Sequence, residues 1–114
     1  MQKQPPEVQE SWYMMKYKKR PGILVEKICG QNILIPTRSA YPYCKNILPL
    51  KLVWLATWEL IGEEDGDEKI MRFHQILTKK TDEEIRTRVT KFCKDLVKMG
   101  FLIEQPEEES EGGA

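Results

Sequence analysis

Histidine and cysteine are the side chains of this 114-residue chain best suited to chemistry near neutral pH. His74 is the only histidine, and Lys79 and Lys80 follow it within one predicted helix and its exit. A general base or a metal ligand needs a partner that orients it, and the sequence around His74 offers none. We therefore interpret His74 as a surface or half-buried residue without a catalytic role.

The three cysteines, Cys29, Cys44 and Cys93, form no C-x-x-C pair and match no zinc-ligand spacing. Because an odd number cannot pair completely, reduced thiols and a cytoplasmic location are the economical interpretation. Cys44 and Cys93 are predicted to be small core residues, with a reactive role as the alternative. The acidic run Glu63-Glu64-Asp65 lacks the alternating spacing of a calcium loop and indicates a solvated turn. We predict that the chain is not an enzyme and binds no cofactor and no metal.

The net charge and the hydropathy of the chain limit the classes of partner that it is expected to bind. Eighteen basic residues balance eighteen acidic ones, so the net charge is zero and no global field recruits nucleic acid or an anionic membrane. No apolar run approaches the roughly 20 residues of a membrane-spanning helix, and no signal-peptide pattern opens the chain. The composition predicts neither a nucleic-acid nor a membrane partner.

The chain divides into an arm, one domain and a tail. Residues 1–15 begin with polar residues around Pro5-Pro6 and predict a flexible N-terminal arm. Residues 16–104 are long enough for one domain with a single modest core. Residues 105–114 contain Glu107, Glu108, Glu109 and Glu111 and predict a disordered acidic tail.

Short strands are predicted first along the domain. Two runs rich in β-branched residues, Ile23 to Ile28 and Asn32 to Ile35, indicate a hairpin that turns at Gly30. Tyr43 to Ile47 follows Pro42 and is predicted to be a third strand at the edge of the sheet, where a proline costs no ladder bond.

Three helices are predicted after the strands. Leu50 to Ile61 is apolar nearly all round, which is typical of the most buried helix of a small domain. Glu68 to Leu77 is a short amphipathic helix with four apolar residues predicted to face inward: Ile70, Phe73, Ile76 and Leu77.

The last helix has the clearest signals. Thr81 and Glu84 have the spacing of a capping box, and Gly100 lies where a helix commonly ends in a left-handed residue. Between them, apolar residues recur every three or four positions, after which Phe101-Leu102-Ile103 begins an extended segment. The apolar series is Ile85, Val89, Phe92, Leu96 and Met99.

We therefore predict an α+β, winged-helix-like fold in which a three-stranded antiparallel sheet is followed by three helices. The predicted core consists of Leu24, Ile33, Val53, Trp58, Ile61, Ile70, Phe73, Ile85, Val89, Phe92 and Leu96.

Two binding functions fit such a fold. A winged helix can bind DNA, and the last helix carries Arg86, Arg88, Lys91, Lys94 and Lys98. Acidic residues lie among them, however, and the whole chain is neutral, so a solvated helix face is the alternative interpretation. A three-stranded sheet also has an edge that can accept an incoming peptide strand, with the last helix as the other wall of a groove.

The order and spacing of four segments resemble the PqqD-like family, whose members recognise precursor peptides. The segments span residues 16–103 and comprise the hairpin G-I-L-V-E-K-I-C-G-Q-N-I-L-I-P, then W-E-L-I-G, E-K-I, and E-I-x-x-x-V-x-x-F-x-x-x-L-x-x-x-G-F-L-I. Similarity to pyrroloquinoline-quinone biosynthesis protein D and to precursor-peptide recognition elements implies a non-catalytic adaptor. Such an adaptor captures the leader segment of a ribosomally made precursor peptide as an added strand. It then presents the precursor to a modifying enzyme, commonly a radical SAM enzyme in this family.

The expected peptide site lies between the third strand and the last helix. We name both flanks of the helix because the sequence leaves open which flank faces the groove. An edge that stays empty, or that pairs two copies into a dimer, is the alternative. The candidate residues are Tyr43, Cys44, Lys45, Asn46 and Ile47 on the strand, and Arg86, Arg88, Val89, Phe92 and Cys93 on the helix.

Overall fold

The computed structural model describes residues 16–105, and it confirms the α+β class. Strands come first and three helices follow, with a last short strand at the end of the described chain. The elements are β1 (Tyr17–Lys19), β2 (Ile23–Ile28), β3 (Gln31–Pro36), β4 (Leu48–Leu50), α1 (Leu52–Leu60), α2 (Gly66–Thr78), α3 (Asp82–Met99) and β5 (Leu102–Glu104). The predicted arm (residues 1–15) and nearly all of the predicted tail lie outside the described residues.

The main sheet is antiparallel, with the strand order β2-β3-β4. The predicted hairpin is confirmed: Ile28 pairs with Gln31, and Cys29 and Gly30 form the two-residue turn with φ of 53° and 79°. Positive φ at both central residues is the turn that matches the twist of the flanking strands. Since strand β4 pairs with β3 on one side only, it is the edge of this sheet.

The third strand lies later in the chain than we predicted. Tyr43 to Ile47 is not a strand; the strand is β4, Leu48–Leu50. Consecutive turns replace the predicted strand, because the backbone N–H groups of Tyr43 and Cys44 both donate to the carbonyl oxygen of Ala40, at 3.0 and 2.9 Å. Their donors are therefore satisfied within the domain and cannot bind an incoming strand.

A second, two-stranded sheet pairs β1 with β5, joining the two ends of the described chain. The extended segment predicted after Gly100 is confirmed as β5, whereas the sequence analysis missed β1. Tyr17 of β1 is 1% exposed, and Phe101 and Leu102 are buried beside it in the core. This small sheet packs against α3 and closes the core on that side.

The helix predictions are largely confirmed. Helix α1 has two exposed residues of nine, Leu52 and Glu59, although most of its side chains are half-buried. In α3 the capping box is present: Thr81 Oγ1 accepts from Glu84 N at 3.1 Å and Glu84 Oε1 accepts from Thr81 N at 3.0 Å. Gly100 ends α3 with φ 94°.

Helix α2 is rotated relative to the prediction. Ile70 is fully buried and Phe73 half-buried, but Ile76 is 66% exposed and Leu77 is 49% exposed. The prediction that these last two face inward is wrong, because the buried line of α2 runs through Gly66, Ile70 and His74 at a spacing of four.

Seven of the eleven predicted core residues are buried. Val53, Phe73 and Phe92 are half-buried, and Leu24 is 48% exposed because β2 is the other edge of the sheet. The confirmed residues are Ile33, Trp58, Ile61, Ile70, Ile85, Val89 and Leu96. Among the helices of the described residues, none combines the length and the apolar character needed to cross a membrane.

Candidate functional site

An apolar groove runs between strand β4 and helix α3. Its cavity of about 390 Å³ has a floor of leucine, tryptophan, phenylalanine and methionine side chains, with one lysine and one aspartate at its margins. The lining residues are Leu48, Pro49, Leu50, Lys51, Trp54, Phe92, Asp95, Leu96 and Met99. Since β4 has no strand neighbour on this side, the groove combines an apolar wall with an unpaired strand edge.

The groove continues toward the middle of α3. A second cavity of about 270 Å³ shares Trp54, Phe92 and Asp95 with the first and adds Arg88 and Lys91. One end of the continuous groove is therefore apolar, whereas the other carries Arg88 and an ion pair in which Lys91 Nζ lies 3.2 Å from Asp95 Oδ2. The two cavities share three lining residues and together extend along both β4 and α3.

Pro49 determines which backbone groups of β4 face the groove. The register pairs Ile33 with Pro49, flanked by the pairs of Leu34 with Leu48 and of Asn32 with Leu50. Because proline has no N–H to give, the ladder bonds of β4 run through Leu48 and Leu50, and the Pro49 carbonyl points away from β3. By the same alternation, the N–H and C=O of Ile47 also point outward.

Trp54 forms the floor of the groove. The centroid of its ring lies 4.6 Å from the centroid of the Phe92 ring and 5.0 Å from that of the His74 ring, the latter in an edge-to-face arrangement. Arg88 Cζ lies 5.7 Å from the same Trp54 centroid. Helix α1 thereby contacts both α2 and α3 through one side chain. Edge-to-face and cation–π contacts of this kind hold a ring in one orientation, so the floor of the groove is ordered before any ligand binds.

His74 is a buried structural residue and not, as predicted, a surface or half-buried one. It is 1% exposed, and its Nε2 lies 2.7 Å from Thr57 Oγ1. The Thr57 hydroxyl donates its single proton to the Val53 carbonyl at 2.7 Å, so His74 Nε2 is the donor in this pair. Burial, with a contribution from the charge of Arg88, lowers the pKa of His74 and favours the neutral ring.

The predicted strand residues lie beside the end of α3 rather than along the groove. Tyr43 is 64% exposed, and the Arg20 guanidinium lies 4.4 Å from its ring centroid. Lys45, Asn46 and Ile47 are exposed, and Ile47 directly precedes β4. Cys44 is fully buried, and burial raises the pKa of its thiol. Of this set, only Ile47 lies where its backbone can meet a ligand in the groove.

A close backbone approach fixes the Tyr43–Cys44 turn in this position. A Cβ at Gly100 would collide with the Tyr43 carbonyl oxygen and lie 3.0 Å from Cys44 Cα. Arg20 closes the junction from the other side, with its Nε donating to the Gly100 carbonyl at 2.6 Å. The turn and the C-terminal end of α3 are thus one packed unit, which leaves no space for a peptide between them.

The helix candidates divide between the two flanks of α3. Arg88 and Phe92 line the groove, so the flank that faces β4 is the one that carries Arg88 and Asp95. Val89 is completely buried in the core. Arg86 and Cys93 lie on the opposite flank; Cys93 is buried, which raises the pKa of its thiol to about 12.

Several groove residues were missed by the sequence analysis: Leu48, Pro49, Leu50, Lys51, Trp54 and Met99. The L-P-L run carried a usable signal, because an interior proline is tolerated only on an edge strand and the run directly precedes a helix. Trp54 was not predicted to be a groove residue, because the sequence predicts that α1 is buried on every side. In fact its ring is half-buried and open to the groove.

Within residues 16–105, no group of three or more histidine, cysteine, aspartate or glutamate side chains is placed to hold a metal ion. None of the three cysteines forms a disulfide within the part of the chain that the structure describes. The groove itself contains apolar side chains, flanking charges and a strand edge, which together suit binding of an extended chain. Comparison with known proteins gives no match, whether to a protein-family model, to a curated protein or to a solved structure.

Proposed function

We propose that the chain is a non-catalytic peptide-binding adaptor that holds an extended peptide segment in the groove between β4 and α3. The observation that supports this most strongly is the coincidence of an unpaired strand edge with an apolar groove beside it. Strand addition uses this combination: main-chain hydrogen bonds supply general affinity, and pockets for alternate side chains supply selectivity.

The proposed bonds follow from the ladder of β4. An incoming strand donates to the outward carbonyls of Ile47 and Pro49 and accepts from the outward N–H of Ile47. Its alternate side chains then point to the same side as Leu48 and Leu50, into the apolar cavity. Pro49 removes one donor from the edge, so side-chain burial contributes a larger share of the affinity than in an uninterrupted edge strand.

The charges around the groove favour a peptide with a mixed character. Apolar residues suit the part lined by Leu48, Leu96 and Met99, and an acidic residue suits the part beside Arg88 and Lys91. Asp95 lies between the two parts and disfavours a second acidic residue there. The proposed peptide is therefore apolar at alternate positions, with acidic charge near one end.

The adaptor role and the partner enzyme come from the resemblance to PqqD-like proteins. On that basis the peptide is the leader segment of a ribosomally made precursor, presented to a modifying enzyme of the radical SAM class. The lack of a disulfide among the three cysteines within residues 16–105 supports a reducing, cytoplasmic setting for this role. A gene for a short precursor and a gene for a modifying enzyme next to the gene of this chain would support the assignment independently.

A DNA-binding role remains the second candidate, because α3 carries five cationic residues along its length: Arg86, Arg88, Lys91, Lys94 and Lys98. The two candidates differ in their dependence on salt. A protein that neutralises several phosphates loses affinity steeply as salt rises, whereas strand addition into an apolar groove loses little.

A selection experiment tests the proposal. Random twelve-residue peptides displayed on phage are selected against the immobilised full chain, and the recovered peptides are measured in solution at low and high salt. We expect sequences with apolar residues at every second position and a weak salt dependence of the dissociation constant. Failure to recover any peptide, together with salt-sensitive retention of duplex DNA, would contradict the adaptor role.

A further inference from the structure

The outer face of α3 is a second charged surface, separate from the apolar part of the groove. One shallow depression along it is lined by Arg86, Thr87, Thr90, Lys91, Lys94, Asp95 and Lys98, all from this single helix. We call these seven residues the basic face. From position 86 to position 98 helix α3 carries five cations and one anion, Asp95, so the positive charge is concentrated there although the whole chain is neutral.

Arg86, at the start of the basic face, carries an unsatisfied donor. Its Nε is buried and makes no hydrogen bond with any of residues 16–105. A buried guanidinium N–H without an acceptor lowers the stability of the folded protein. A carboxylate that reaches it supplies a charge-assisted hydrogen bond. This observation is independent of the net charge, and an anionic group from outside the described residues would satisfy the donor.

The end of the described chain lies close to this face. Strand β5 starts just after the C-terminal end of α3 and packs against that helix, and Glu104 at its end pairs with Tyr17. Tyr17 and Cys93, which lies in the middle of α3, belong to the same buried core cluster. Strand β5 therefore runs back along α3, and Gln105, the last described residue, donates its N–H to the Lys16 carbonyl at 2.7 Å, on the flank of Arg86 and Cys93.

The sequence that follows Gln105 is strongly acidic. Four of the five residues from Glu107 to Glu111 are glutamates. The six residues from 106 to 111 span at most about 20 Å when extended, and the helix from Arg86 to Lys98 is about 18 Å long. The tail is thus long enough, and of the opposite charge, to lie along the basic face.

We propose that the acidic tail, Glu107 to Glu111, docks on the basic face of α3 within the same molecule and covers it electrostatically. In this arrangement a glutamate carboxylate accepts from Arg86, and the others lie near Lys94 and Lys98. The face that would otherwise attract phosphates or foreign acidic chains is then occupied by the protein's own tail. This inference does not depend on the peptide groove, with which the basic face shares only Lys91 and Asp95.

Paramagnetic relaxation measures this contact directly in the full chain. A nitroxide is attached at Ser110→Cys in a Cys29→Ser background, because Cys29 is exposed while Cys44 and Cys93 are buried. We expect loss of amide signal at Thr87, Thr90, Lys94 and Lys98. The signals should recover in about 1 M sodium chloride, where the Debye length falls to about 3 Å.

The matched control carries the same label with Glu107, Glu108, Glu109 and Glu111 changed to glutamine. Recovery of the α3 signals in this control supports the proposal, because only the tail charge differs. The proposal would be overturned if, at low salt, the labelled protein that keeps all four glutamates showed undiminished amide signals along α3. So would signal loss that is centred on another element, or that persists when the four glutamates are neutralised.

Discussion

At the scale of single residues, the directions of two hydrogen bonds explain the structural role of the buried polar side chains Thr57 and His74. Thr57 is fully buried, donates to the Val53 carbonyl and accepts from His74, so one hydroxyl satisfies two helices at once. His74 in turn packs edge-to-face on Trp54, the floor of the groove. The only histidine of the chain thus supports the groove from behind and does not face a ligand.

Replacing Thr57 by valine tests this role. Thr57→Val keeps the shape of the side chain but leaves the buried Nε2–H of His74 without an acceptor, which costs about 1–3 kcal/mol of unfolding free energy. Thr57→Ser keeps the hydroxyl and is expected to cost clearly less. Urea denaturation of both variants gives the comparison, and equal losses would show that the hydroxyl is not the relevant group.

The lowered pKa of His74 predicts how stability depends on pH. Because the folded protein favours the neutral ring, the unfolded chain binds more protons, and the unfolding free energy falls as the pH decreases below the unfolded value of 6.5. The stability is fully present above that value. Thermal unfolding between about pH 7.5 and about pH 5.5, a window above the carboxylate pKa values, should show a falling midpoint. The same slope in His74→Gln would contradict this assignment, since no other histidine exists.

At the scale of elements, the sequence determines the helices and the hairpin better than the third strand. The capping box of α3, its apolar period and the Gly100 exit are local signals, and the structure confirms them. Strand β4 and strand β1 are three residues each, and pairing with distant partners decides where such short strands lie. The turns that place Tyr43 against Gly100 are likewise set by tertiary contacts. The sequence therefore predicted a strand at Tyr43 to Ile47, whereas the strand beside the apolar groove is Leu48–Leu50.

A comparison of alanine at Gly100 and at Gly30 separates the free-energy cost of a strained backbone from the cost of a steric clash. Both have positive φ, but a Cβ at Gly30 meets no atom within 4 Å, whereas a Cβ at Gly100 collides with the Tyr43 carbonyl. Gly30→Ala is expected to cost about 1–2 kcal/mol from its left-handed conformation alone. Gly100→Ala should cost about 1–3 kcal/mol more, because the turn must also move. Denaturant unfolding compares the two variants, and similar losses would contradict the close approach.

Proline is expected to weaken peptide binding where a backbone N–H near β4 points away from β3, and to lower stability where the N–H points toward β3. Ile47→Pro removes an outward N–H, so binding of a selected peptide should weaken about fivefold, the equivalent of one hydrogen bond of about 1 kcal/mol. Leu48→Pro removes a ladder bond to β3 and should lower the melting temperature. Calorimetry and thermal unfolding of both variants separate the two losses. Normal peptide binding by a folded Ile47→Pro protein would exclude this edge as the site.

At the scale of the whole molecule, the two flanks of α3 have different environments. One flank forms the apolar groove with β4 and α1, and the other meets the sheet of β1 and β5, where both ends of the described chain emerge. Composition alone showed a neutral protein and could not show this division, because it depends on how the helix is rotated against its neighbours. Pro49 also limits self-pairing of the edge, since an edge strand without that donor is a poorer template for a second copy.

The central claim is that an extended peptide binds as a new strand beside β4, and nuclear Overhauser effects between backbone protons test it most directly. The probe is the tightest peptide from the phage selection, added to the isotope-labelled full chain. We predict interstrand contacts from the peptide backbone to Ile47 and Pro49, and side-chain contacts from alternate peptide residues to Trp54 and Met99. A peptide that binds tightly in helical form, or whose contacts lie away from β4, would contradict the account.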